Sequence, residues 1–134
     1  MRILADTNIY FSALLFPRSV PSMALLKVCE CDSLVICEYI ISELELVVSR
    51  KHPNLLPVLR VMLTDLELEE VATSYSSQLI ISDPKDSPIL TTALTSGVDI
   101  IISGDKHFLS LGLSEPRVIT ASEYLRLKNP KCFW

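Results

Sequence analysis

Glycine is scarce: with three in 134 residues, the chain has no glycine-rich loop to cradle a phosphate, which excludes Walker-A and dinucleotide-binding fingerprints. The four cysteines, Cys29, Cys31, Cys37 and Cys132, show no C-x-x-C spacing, and two histidines are too few to complete a zinc site. They are expected as reduced, mostly buried thiols. Neither His52 nor His107 has a Ser or Cys partner in a nucleophile arrangement. No apolar stretch reaches the roughly 18 residues of a membrane span. The first residues form an apolar strand with one Arg rather than a secretory leader, so a cytoplasmic protein without membrane association is expected. A long basic run is also missing, and the net charge is −4, which at first argues against a nucleic-acid partner. That argument weakens where acids are gathered for a cation, because the bound ion reverses the local sign. Arg50, Lys51, Lys85 and Lys106 all fall close in sequence to candidate acids.

What the chain does contain is apolar sequence, 49% of it, which excludes disorder and suits a single domain over residues 1–134. A mean hydropathy of +0.39 points to apolar surface beyond the core, and so to an interface.

The apolar pattern divides the chain into alternating strands and helices. A strand over 2–6 leads into a helix that starts near Thr7 or Asn8 and stops before Pro17. A second helix runs from Pro21 to Glu30, with its proline in the first turn. After a turn at Asp32-Ser33, residues 34–37 form a strand, and residues 38–51 an amphipathic helix with Ile40, Ile41, Leu44, Val47 and Val48 on one face. A further helix occupies 54–65. Residues 67–82 are ambiguous, with Val71-Ala72 and Leu79-Ile80-Ile81 as candidate strand ends. Asp83-Pro84-Lys85-Asp86 is a turn, followed by a helix over 87–96 that Gly97 terminates. Then come a strand over 98–102, a short helix near 106–111, a last strand at 117–119 and a helix over 121–128. Such alternation implies an α/β fold, a parallel sheet flanked by helices.

Two strands end on acids, the first at Asp6 and the 98–102 run one Gly before Asp105. In an open α/β sheet the functional crevice lies outside the carboxyl ends of the strands. Paired carboxylates there repel and raise each other's pKa unless a cation neutralises them, so a divalent-metal site is the leading idea. Either Asp taken alone reads as a helix cap. Asn8 adds a neutral oxygen able to orient a carboxylate. Glu43 and Glu45 border the apolar stripe of their helix on opposite sides, and periodicity does not choose between them. Asp86 or Ser87 caps the helix at 87–96, and capping is compatible with ligation. Hard, all-oxygen ligands select Mg²⁺ or Mn²⁺.

The order of these pieces, Asp6-Thr7-Asn8-Ile9 after a strand, Ser42-Glu43-Leu44 in a helix ending Arg50-Lys51, Asp83-Pro84-Lys85-Asp86 before a helix, and Ile102-Ser103-Gly104-Asp105-Lys106, resembles the PIN-domain nucleases, in particular the prokaryotic VapC-like toxins. The resemblance covers residues 2 to about 125. It implies a three-layer α/β/α fold around a parallel sheet and a metal-dependent endoribonuclease with an acidic quartet of Asp6, Glu43, Asp86 and Asp105. It selects Glu43 because the family's helix motif is Glu-Leu with an apolar residue three later, matching Glu43-Leu44-Val47. Asp6, Asp86 and Asp105 would be the principal metal ligands. Glu43 would orient the attacking water or hold a second ion. Lys85, Lys106, Arg50 and Lys51 would contact RNA phosphates, with Asn8 and Ser103 also at the substrate site. It further implies a homodimer and an antitoxin partner. The chain departs from the family in carrying Ser103 where Thr is usual, and Ser87-Pro88 where a second acid often follows the one matching Asp86. The rival readings are an aspartyl phosphatase, which wants a second Asp where Asn8 stands, and a non-catalytic PIN scaffold that binds RNA or protein.

Overall fold

The computed structural model describes residues 1–75, 87–129 and 132. Among the described residues five strands, β1 (Arg2–Ala5), β2 (Ser33–Cys37), β3 (Leu68–Val71), β4 (Ile100–Ile102) and β5 (Arg117–Ile119), alternate with seven helices. The helices are α1 (Thr7–Leu15), α2 (Val20–Cys31), α3 (Glu38–Lys51), α4 (Leu56–Asp65), α5 (Ser87–Thr95), α6 (Lys106–Leu109) and α7 (Ala121–Arg126), with a single 3-10 turn at Pro53–Leu55 before α4. The sheet order is β3-β2-β1-β4-β5, and every pairing is parallel. This is the parallel sheet flanked by helices that the alternation implies, in the three-layer α/β/α architecture that the resemblance implies. Because the chain moves outward from β1 to β3 and then jumps back to β4, the strand order reverses between β1 and β4, where an open sheet forms its crevice.

The core is the apolar centre of the three inner strands, with Ile3, Leu4, Leu34, Val35, Ile36, Ile101 and Ile102 all buried, against Ile40, Leu44 and Val48 of α3. The ambiguous stretch after α4 contains β3, an edge strand whose Glu69 pairs with Arg2 at 3.0 Å. The other strand candidate, Leu79-Ile80-Ile81, lies outside the described residues. The fourth strand is shorter than the 98–102 run. Gly97, at a φ of +69°, ends α5, and the Val98 amide bonds back to the Ala93 carbonyl at 3.1 Å. Asp99 then spends its carboxylate on the Arg2 amide at 2.8 Å.

Two features were not foreseen. Cys31 and Cys132 form a disulfide across 101 residues, with Cα atoms 5.5 Å apart, so only Cys29 and the buried Cys37 are free thiols. The expectation of four reduced thiols is corrected: the chain after α7 returns to the end of α2, a proximity that spacing motifs do not encode. Lys27 is buried in α2. Its ammonium donates to the carbonyls of Tyr124 at 2.9 Å and Leu127 at 2.6 Å at the end of α7, where the Tyr124 carbonyl also accepts the Leu127 amide at 3.1 Å. Among the described residues no single helix is long and apolar enough to cross a membrane.

Candidate active site

Asp6 follows the last residue of β1 and caps α1, its Oδ1 accepting the Ile9 amide at 3.1 Å. The helix starts at Thr7 and its cap is Asp6, the capping role that an Asp after a strand has when taken alone, because the strand's turn into α1 brings its carboxylate over the first helical amides. The register that sets Ala5 beside Ile102 puts Asp6 next to Ser103 on the neighbouring strand. There the Ser103 hydroxyl donates a hydrogen bond to Asp6 Oδ2 and accepts the Asp105 amide at 3.0 Å. Ser103 is fully buried, and Asp6 is 4% exposed. One hydroxyl therefore ties the acid of one strand end to the acid of the next.

Burial pushes the Asp6 carboxyl up to about 6, and the nearby Asp105 charge adds to the rise; the Ser103 hydroxyl and the Ile9 amide pull the other way. Desolvation wins over these hydrogen bonds and that of the Asn8 amide, so an ionised Asp6 is an anion held at a cost in the protein alone. A cation at this edge would relieve that cost. Asp105 caps α6 through Oδ1, which accepts the His107 amide at 2.8 Å. It is part-exposed, with room for a second contact through its other oxygen.

Glu43 reaches the same edge from α3. Its Oε1 accepts the Thr7 hydroxyl at 2.7 Å, so the residue directly after Asp6 holds it. Glu45, its competitor on periodicity, is exposed. Thr7 is the site residue that sequence reading missed; it stands there only as a helix start, and nothing local distinguishes a hydroxyl at a helix start from one that orients a distant carboxylate. Asp86 and Lys85 lie outside the described residues. Asn8 and Lys106 are exposed beside Asp6 and Asp105. Arg50 and Lys51 are exposed in the last turn of α3, about 12 Å along the helix from Glu43.

The donor set is carboxylate and hydroxyl oxygen, which suits a hard divalent cation and not zinc or copper. Among the described residues no three Asp, Glu, His or Cys side chains stand close enough to hold an ion between them. Mg²⁺ fits such an edge, since it keeps several waters and takes few protein ligands. A cavity of about 490 Å³ lined by Met1, Asp99, Pro116 and Arg117 is at the opposite end of the strands, remote from these acids.

The family model described as "PIN domain" matches residues 2–107, a span that contains Asp6, Glu43, Asp86 and Asp105. A chain of the VapBC2 crystal structure from Rickettsia felis, bound to a DNA fragment from their promoter, superposes with a TM-score of 0.73 at 18% identity. The match covers 90% of this chain and 98% of that one. No curated protein matches the sequence.

Proposed function

The chain belongs to the PIN-domain family, and on that footing we propose that it is a metal-dependent endoribonuclease, the toxin of a toxin–antitoxin pair, acting as one nuclease unit over residues 1–134. The observation that carries the reading is the buried, desolvated Asp6 carboxylate at the β1/β4 switch point, held by Ser103 beside Asp105 and joined through Thr7 to Glu43. A stable fold has no use for an unneutralised carboxylate there, whereas metal-assisted hydrolysis does.

Asp6, Asp105 and Glu43, with Asp86, would hold Mg²⁺ or Mn²⁺. When bound, the ion supplies charge stabilisation to the phosphorus oxygens of an RNA phosphodiester. Ser103 fixes the Asp6 oxygen that faces β4 and, through the Asp105 amide, the start of α6. Thr7 orients Glu43, whose second carboxylate oxygen would position the attacking water and take its proton. Lys106 and Lys85 would meet phosphates at the edge, Arg50 and Lys51 further along the strand, and Asn8 the substrate flank.

The exposed apolar residues Val20, Met23 and Leu26 on α2 and Val58 and Val61 on α4 suit a homodimer and an antitoxin contact, since one sheet face covers only one stripe of a helix. The proposed site of action is the cytoplasm, where an RNA target is met. The dispersal of the described acids favours one rival, a non-catalytic PIN scaffold. Incubation of a generic RNA with the protein in Mg²⁺ or Mn²⁺, with and without EDTA, decides between them. The enzyme reading expects cleavage that EDTA and Asp6→Asn both abolish; intact RNA in every lane leaves the scaffold.

A further inference from the structure

The seam between α1 and α3 carries an aromatic and cationic cluster that the acidic chemistry does not use. At one end Thr7 meets Glu43. One turn along α1 from Thr7 stands Phe11, half-buried and packed against the core, so its ring is held in place. The His52 imidazole lies 6.2 Å from that ring at 42°, and the Lys51 ammonium is 5.7 Å from its centroid. His52 ends α3, but the cap is made by its backbone amide, which bonds the Val48 carbonyl at 2.8 Å and leaves the imidazole out of it. His52, Lys51 and Arg50 are exposed. At 1.5 Å of rise per residue, Phe11 lies roughly 6 Å along α1 from Thr7, and Arg50 to His52 lie roughly 10–14 Å along α3 from Glu43, distances that a short stretch of extended strand covers.

Single strands are held by this pairing of chemistries. Bases stack on aromatic faces whatever the sequence, and flanking cations track the phosphates. A net charge of −4 makes a local cationic and aromatic patch beside an acidic edge the more telling, because a polyanion approaching Asp6, Glu43 and Asp105 needs an anchor elsewhere. We propose that Phe11, His52 and Lys51 form a platform on which a base of single-stranded RNA stacks beside the acidic edge, with Arg50 and Lys51 meeting the adjoining phosphates. The proposal deepens the ribonuclease reading and rests on it for the direction in which the strand runs. Phe11 and His52 are positioning residues.

The test measures binding apart from cleavage. Anisotropy of a fluorescein-labelled oligouridylate is titrated in EDTA with wild type, Phe11→Leu, His52→Ala, His52→Tyr and Arg60→Gln, each checked for an unchanged melt. A second oligonucleotide carries 2-aminopurine, whose emission drops on stacking. Phe11→Leu and His52→Ala are expected to weaken binding roughly fivefold or more and to restore the emission. His52→Tyr should keep both signals, and Arg60→Gln, an exposed charge on α4, should change neither. Titrations of Phe11→Leu and His52→Ala that superpose on wild type overturn the platform, as does a wild type that leaves 2-aminopurine unquenched. Cleavage of the same oligonucleotide in Mn²⁺ is scored separately. Cleavage without any platform effect overturns this inference alone, and platform binding without cleavage overturns the nuclease reading alone.

Discussion

The Ser103 hydroxyl donates to the Asp6 carboxylate across 97 residues of sequence, joining the ends of two neighbouring parallel strands. The same oxygen accepts the Asp105 amide, so both aspartates depend on one small buried side chain. Ser103→Ala is expected to weaken Mn²⁺ binding by roughly tenfold or more, as loss of an outer partner of a metal ligand typically does, while Ser103→Thr keeps the hydroxyl and the affinity. Isothermal titration of the three proteins with Mn²⁺ checks this, and equal affinities would show that the hydroxyl serves the fold alone.

The Asp6 carboxyl ionises near 6 in the folded protein against an ordinary value of 3.8. The folded state therefore holds this proton more tightly than the unfolded chain does. Below about pH 4 both states are protonated and the group costs nothing; as the pH rises through about 6 the cost appears in full, on the order of 2–3 kcal/mol at roughly 1.4 kcal/mol per unit. Urea unfolding of the metal-free protein between pH 4 and pH 7.5 should show wild type losing stability relative to Asp6→Asn across that window. Parallel curves for the two proteins would contradict the burial argument.

Thr7 and Glu43 give a second test. Glu43→Gln should abolish cleavage, Thr7→Val should reduce kcat by about tenfold or more by freeing the carboxylate, and Glu45→Gln should have little effect. A dead Glu45→Gln beside an active Glu43→Gln would assign the wrong face of α3.

Much of this site is legible in the sequence because strand ends are. A β-branched run that stops on an acid marks a carboxyl end, and two such ends on adjacent strands make a pair. The choice of Glu43 over Glu45 is not legible from periodicity, since Ile40, Leu44 and Val48 fix the rotation of α3 and both glutamates border that stripe; Thr7 breaks the tie in three dimensions. The edge strand Leu68–Val71 is hidden because its middle residues, Glu69 and Glu70, are exposed, so it carries no apolar alternation. Nothing in the sequence around Lys27 signals its burial, because its partners are carbonyls about 100 residues away. The sequence order supplies Asp86 and Lys85, which lie outside the described residues.

The disulfide makes its own prediction. Unfolded without reductant, the protein should present two reactive thiols, those of Cys29 and Cys37, and four after reduction. Closing a loop across 101 residues restricts the unfolded chain by an amount worth up to about 4–5 kcal/mol. Reduction or Cys132→Ser should therefore lower the melting temperature. Four thiols without reductant would contradict the linkage.

For the dimer, light scattering at micromolar concentration should give about twice the 15.0 kDa chain mass, and Val61→Glu on the exposed face of α4 should lower it. A monomer mass unchanged on concentration would rule the dimer out.

The central claim is that Asp6 is kept for chemistry at the expense of stability, with Asp105 as its partner at the strand ends. One set of samples tests it: wild type, Asp6→Asn and Asp105→Asn, each measured for melting temperature without metal, for the melting shift in millimolar Mn²⁺, and for RNA cleavage. The account predicts that Asp6→Asn melts at or above wild type without metal, that Mn²⁺ raises the melting temperature of wild type only, and that both variants are inactive. Variants that melt lower than wild type yet still cleave RNA, or equal Mn²⁺ shifts in all three proteins, would reduce the two aspartates to helix caps and contradict the account.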